Sequence, residues 1–268
     1  MLTFRTEKVT DRITRIFCFL TELCYLVEGE HAAALIDTGS GFGDLRGCVR
    51  GLTDKPVTVL LTHGHVDHAM GAAQFEDVRM NPADLPLFAV HGAEDFRKGG
   101  AAAELLAEYI PTADPANFRP LADGEVLDLG GISVVQYACP GHTPGSMAML
   151  IPEERILLLG DACNPHTFLF DRFSTGVAAY RQTLMALKTR TDGLYDRVLL
   201  SHRNGEVAAD VIASNIQVCA DILSGNTDDV PFRWRDECYK VAKATGADGM
   251  RLDGGTGNII FSDDTRSR

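Results

Sequence analysis

Four apolar runs in this chain each stop on an aspartate or a histidine. They are AAALID (32–37), PVTVLLTH (56–63), RILLLGD (155–161) and DRVLLSH (196–202), ending at Asp37, His63, Asp161 and His202. Short aliphatic and β-branched runs closed by polar or glycine residues read as strands. A fifth run, ISVVQYACPGHTPGS (132–146), carries His142 in the Pro/Gly-rich loop beyond its strand. Strand ends are where a rigid sheet presents functional groups on loops. The pattern therefore asks for a sheet-based scaffold with a site assembled from distant positions.

The remaining segments fill in that scaffold. RITRIFCFL (12–20) and LCYLVEG (23–29) read as strands, and SMAMLIP (146–152) forms a hairpin with 155–161 around Pro152–Glu153–Glu154. Helices are expected over 44–52, 68–75, 82–96, 101–110, 176–190 and 205–223, with a break at Gly99–Gly100. Strands in groups with helices interspersed fit a layered α/β or α+β architecture. No repeat or low-complexity linker divides the chain. The expectation is one domain over 1–268, with its core at about 12–223. A Gly- and Asp-rich extension, 224–268, with the strand-like GNIIF (257–261), either completes a sheet or makes a homodimer contact.

Composition narrows the function. With 268 residues, 45% hydrophobic and 23% charged, the chain has the make-up of a globular protein with a substantial core. No apolar run approaches the ~18 residues of a membrane span, and MLTFRTEKVTDRITR has no signal-peptide core, so a cytoplasmic protein without membrane partner is expected. Seven scattered cysteines, with no CxxC pair, argue against a disulfide framework or a cysteine-rich zinc site. The net charge of −12 disfavours a nucleic-acid partner, which needs concentrated Lys and Arg.

The chemistry concentrates in THGHVDHAMG (62–71), where three of the eight histidines fall within six positions. His63 and His65, two apart, can aim their rings to one side of an extended or turning backbone, and Gly64 lets that backbone bend. Asp67 and His68 fall at the start of the next helix, facing away from the first pair but close in space. Neutral imidazoles and carboxylates are the donors that zinc and related divalent ions accept, so one short segment can feed two adjacent metals. Singly, His142, Asp161 and His202 read equally well as loop, turn or strand-end residues.

HGHVDH resembles the HxHxDH signature of the metallo-β-lactamase superfamily, and PGHTPGS, LLLGDA and LLSHRNG supply the family's further ligands in order over about residues 12–205. Asp37 in LIDTG matches the family's supporting aspartate. The resemblance implies an α+β fold, the αββα four-layer sandwich of two mixed β-sheets flanked by helices. It implies a first metal held by His63, His65 and His142, a second held by Asp67, His68 and His202, and Asp161 bridging both. Two divalent ions are implied, zinc first, with iron or manganese as alternatives.

The activity implied is that of a dinuclear metallohydrolase, in which hydroxide between the metals attacks the carbonyl of a small ester, thioester or lactone. Asp67 would orient that hydroxide and carry a proton to the leaving group. PGHTPGS resembles the glyoxalase II and lactonase branches, whereas CNPHTFLFDRFSTG (163–176) departs from both. There Phe168, Phe170 and Phe173, with Tyr180 beyond, read either as an apolar lid or as pins to the core. His166 is a candidate to assist the leaving group. Arg203 suits a substrate carboxylate, Asn204 a helix cap, and Cys163, His31 and His91 packing or surface roles. Alternatives on the same fold are an iron-dependent persulfide dioxygenase-like oxidoreductase, a phosphodiesterase of the RNase Z-like branch, a true β-lactamase and a non-catalytic metal-binding module.

Overall fold

A computed structural model describes residues 2–99 and 101–268. Its first sheet has seven strands in sequence order, β1 (Arg5–Lys8), β2 (Ile13–Phe17), β3 (Leu23–Glu28), β4 (Ala33–Ile36), β5 (Val57–Leu60), β6 (Asp77–Met80) and β7 (Arg119–Pro120). β1 to β4 form an antiparallel meander, and β4 to β7 run parallel. The second sheet contains β8 (Val126–Asp128), β9 (Ser133–Ala138), β10 (Met147–Ile151) and β11 (Ile156–Gly160). β12 (Thr167–Leu169) leaves that sheet, and β13 (Arg197–Leu200) and β14 (Glu206–Val207) return to it. Only β11 and β13 pair in parallel there.

Alternation along the strands explains the layering. In β3, Leu23, Tyr25 and Val27 join one apolar cluster while Cys24 and Leu26 join another. In β10, Met147, Met149 and Ile151 face the first cluster while Ala148 and Leu150 face a third. Each sheet is thus apolar on both faces and must be covered on both. The inner faces meet each other. The outer face of the first sheet is covered by α1 (Leu45–Arg50) and α3 (Leu85–His91), the latter following the four-residue α2 (Val66–Ala69). The outer face of the second is covered by α6 (Val177–Thr191) and α7 (Val211–Ser224), which follow α4 (Glu94–Lys98) and α5 (Ala103–Leu106). The fold is the expected αββα sandwich. No helix among the described residues is long and apolar enough to cross a membrane.

Several local expectations need correction. The helix expected over 68–75 is α2 followed by a separate 3₁₀ turn at Ala72–Gln74. The stretch 82–96 is interrupted at Gly92–Ala93, and of the break at Gly99–Gly100 the second residue lies outside the described residues. Glu206–Val207 is an edge strand against β13, so the last long helix begins at Val211, and Asn204 caps nothing. The C-terminal extension completes neither large sheet. β15 (Val230–Trp234), β16 (Glu237–Val241) and β17 (Ile259–Phe261) form a third sheet with β12, and α8 (Asp263–Ser267) closes the chain. Ala242, Ile259 and Phe261 join the apolar layer outside the second sheet.

Candidate metal centre

The ends of β4, β5, β11 and β13 converge on one edge of the sandwich, and the loop after β9 reaches the same place. His63, His65 and His142 bring one ring nitrogen each to a common point. His65 Nδ1 lies 3.0 Å from His63 Nε2 and 2.9 Å from His142 Nε2. Asp67, His68 and His202 form a second group. His68 Nε2 is 3.2 Å from His202 Nε2, and Asp67 Oδ2 is 3.3 Å from His202 Nε2. Asp161 Oδ2 stands between them, 3.3 Å from His202, 3.6 Å from His68 and 3.9 Å from His142. All seven residues singled out from the sequence are brought together.

Hydrogen bonds at the backs of the rings set which nitrogen faces inward. His142 Nδ1 donates to the Phe168 carbonyl at 2.7 Å, and His68 Nδ1 to Asp37 Oδ2 at 2.8 Å. Thr62 Oγ1 donates to Asp37 and lies 3.0 Å from His63 Nδ1, whose proton it accepts. These bonds turn Nε2 of all three rings into the cage, as a lone pair at His63 and His142 and, once its second proton is displaced, at His68. Lone pairs converging at about 3 Å fit a cation among them. Asp161 Oδ1 is buried with no hydrogen-bond partner, which also fits a cation contact. The donor set therefore suits divalent metal.

Asp37 does more than end a strand. It sits in the left-handed region, φ 64°, which aspartate tolerates better than most residues. Besides holding His68 it accepts from the Thr62 amide at 2.7 Å and from Ser201 Oγ at 3.4 Å.

Electrostatics separate the two groups. Burial, then the neighbouring imidazoles, holds His63 and His65 well below the ordinary histidine range, so they stay neutral. Burial also opposes charge on His68 and His202, but Asp67 and Asp37 outweigh it at the first and raise that ring well above the usual range. At His202, Asp161 and Asp67 outweigh burial and push it up to about 10. Burial likewise opposes ionisation of Asp67 and Asp161. His68 and His202 outweigh it, and both carboxyls lie below the usual range as acceptors.

Two residues at the site carried no signal in the sequence. Asp84 is fully buried and accepts from the Gly64 amide at 2.7 Å, the Gly145 amide at 2.6 Å and Thr143 Oγ1 at 2.8 Å. It pins the loop of His63 and His65 to the loop of His142. Gly64 is needed for this close approach rather than for bending, since a Cβ there would lie 3.1 Å from the Asp84 carbonyl. At Gly145 a Cβ would lie 2.7 Å from the Asp84 carboxylate carbon. His91 packs, but against the site. Its ring stacks on His65 at 4.8 Å and accepts the Val66 amide hydrogen bond.

The other sequence candidates fall outside the cage. His166 rests beside Arg203 and the loop at Gly249, with no hydrogen bond or ring contact to the seven donors. Tyr180 is fully buried and donates to the Ala162 carbonyl, so it lines no lid. Phe168 lies in β12 itself and Phe170 just beyond it, and both pack on the third sheet. Cys163 is fully buried, as packing requires, and all seven cysteines are free.

The chain belongs to the metallo-beta-lactamase superfamily, whose members are typically metal-dependent hydrolases and whose family model matches residues 19–202. It is 28% identical over 205 residues to a protein named acyl-coenzyme A thioesterase MBLAC2 from Gallus gallus, spanning 67% of this chain and 72% of that one. It is 35% identical over 131 residues to an uncharacterized protein of Mycobacterium tuberculosis, spanning 44% of this chain and 54% of that one. Among solved structures it is similar to a metallo-beta-lactamase from Pontibacter korlensis, with a TM-score of 0.61 over 82% of this chain and all of that one. At 17% identity that likeness speaks for the fold.

Proposed function

We propose that this chain is a dinuclear, metal-dependent hydrolase of small acyl compounds, a thioester before an ester or lactone. The observation that carries the reading is Asp161 Oδ2, within 4 Å of ligand nitrogens in both groups. A carboxylate so placed suits two cations, zinc first, rather than one. The first would be held by His63, His65 and His142, the second by Asp67, His68 and His202. Such a pair would lower the pKa of a water molecule from about 15.7 to near 7 and would supply positive charge to the carbonyl oxygen.

The chain's own residues supply orientation. Asp67, ionised and with its side chain partly open to solvent, accepts a hydrogen bond from the attacking water and fixes its direction. In thioester hydrolysis the water oxygen bonds to the carbonyl carbon, the carbon–sulfur bond breaks, and the thiolate takes up a proton. The MBLAC2 relatives, covered over 72% of their length, support the thioester class. A net charge of −12 fits a small substrate better than a nucleic acid. The complete second group supports two metals over the single iron of a persulfide dioxygenase-like enzyme.

The test is metal analysis followed by a panel of thioesters, lactones, carboxyesters and phosphodiesters. Two equivalents of zinc are expected, with kcat/KM highest for thioesters and a loss of at least about 10³-fold on chelation. Turnover that survives complete metal removal sinks the hydrolase mechanism. One iron per chain with oxygen uptake sinks it in favour of the oxidoreductase.

A further inference from the structure

The first metal group has an outer wall that none of the chemistry above uses. Two lines of contact leave that group. One runs from His65 through His91 to Phe96, stacked on His91 at 4.5 Å, with the Arg235 guanidinium 5.4 Å from the Phe96 ring centroid. The other runs from His142 through the Phe168 carbonyl to the Phe168 ring, which meets Trp234 edge-on at 5.3 Å. Trp234 and Arg235 are neighbours at the tip of the β15–β16 hairpin. The two lines therefore close into a ring, in which the hairpin tip meets α4 at Phe96.

This wall has two chemical characters side by side. Phe232 and Trp234 lie on one face of β15, their rings 13° from parallel, and Trp234 remains 45% exposed. A tryptophan left open beside a reactive centre is a surface for a flat ligand. Arg235 adds charge. Among the described residues no carboxylate comes within ion-pair distance of it; its guanidinium lies near the Phe96 ring and acts electrostatically on Tyr239. Asp171, which like Arg235 acts electrostatically on His91, is beyond that distance.

We propose that the hairpin tip binds the leaving half of the substrate, and that this half carries a heteroaromatic ring and negative charge, as a nucleotide-bearing thiol does. The proposal rests on the thioester reading and specifies its substrate. An acyl chain would cover the rings but give Arg235 no counter-charge, and a small neutral thiol would satisfy neither. A base stacks on Trp234, and a phosphate pairs with the planar guanidinium.

Trp234 is the only tryptophan in the chain, so its emission reports on the hairpin. The metal-loaded protein is titrated with free coenzyme A and, separately, with N-acetylcysteamine, which lacks the nucleotide. Saturable quenching by coenzyme A alone is expected, weakened about tenfold by Arg235→Glu and by raised salt, and weakened less by Arg235→Lys, which keeps the charge but not the planar fork. In turnover, Arg235→Glu should raise KM about tenfold for an acetyl thioester of coenzyme A and leave that of N-acetylcysteamine unchanged. Equal quenching by both thiols, or none by either, overturns the wall's role even if both thioesters are hydrolysed. Charge-dependent quenching by coenzyme A with no thioester hydrolysed supports the wall and removes the thioester reading instead.

Discussion

Behind His63, His65 and His142 stand a threonine hydroxyl, a stacked imidazole and a peptide carbonyl. Around His68 and His202 stand Asp37, Asp67 and Asp161. In the first group burial, then the neighbouring imidazoles, keeps His63 and His65 neutral. The second is a cage whose imidazoles carry protons at neutral pH when nothing else balances the carboxylates. The difference teaches that, on the two-metal proposal, each ion should be held by a different means, geometry at the first group and charge at the second. One mutation should be able to empty either without emptying the other.

The largest effect is expected at Asp37. Asp37→Asn keeps the left-handed backbone, which asparagine also tolerates, but removes the charge that anchors His68. Second-site affinity should fall roughly 100-fold and the purified protein should retain one metal. Elemental analysis after gel filtration checks this, and two equivalents retained would mean that charge does not hold the second ion. Asp84→Asn attacks the other half. An amide offers one acceptor oxygen where the carboxylate serves Gly64, Gly145 and Thr143, and its NH₂ turns a donor toward donors. First-site affinity should fall about tenfold with the second unchanged, read by competition with a chromogenic chelator.

Protons should divide the sites in the same way. His202 is pushed up to about 10, so an ion entering the second group below that pH must expel a proton. Affinity there should fall by about tenfold for each pH unit lowered, for each proton displaced, whereas the first group, whose His63 and His65 are already neutral, should change less. Calorimetry in two buffers of different ionisation enthalpy counts the protons released. The metal-free protein gives the opposite trend. A histidine raised in the fold stabilises fully below its ordinary 6.5, and that stabilisation is lost as pH climbs toward 10.

How much of this was legible follows from what kind of signal each part leaves. The ligands could be read because each sits at the end of an apolar strand or in a compact motif, and a strand-end residue keeps its place however the loops run. The αββα layering could be read only through the family resemblance. Alternation within LCYLVE and MAMLI shows that both faces are buried, not what buries them. Asp84 and His91 act by proximity across the fold, and a lone acid or histidine in PADLPLFAVH has no spacing to betray it. β14 was hidden because two residues, Glu206–Val207, merge into the amphipathic pattern of α7. VPFRW and ECYKV were hidden because Pro231 and the charges lower their strand character, and β12, the third sheet's remaining partner, lies some ninety residues before β17.

The smallest effect is expected at His166, and it tests whether the centre needs a proton carrier besides its own carboxylates. Burial and then the Arg203 charge hold this imidazole down to about 4. Its Nδ1 is buried without a partner. At neutral pH the ring is therefore uncharged and a weak proton donor, and nothing links it to the seven metal donors. His166→Asn should change kcat by less than about threefold on thioesters. Its effect should instead be on acid stability. Between pH 6.5 and about 4 the unfolded chain takes up a proton that the fold refuses, so stability falls as pH falls through that window. The variant should lose that slope. A kcat reduced a hundredfold, with the acid limb of the pH–rate profile displaced, would instead place His166 at the leaving group and make the second half of the centre dependent on a proton from outside its own carboxylates.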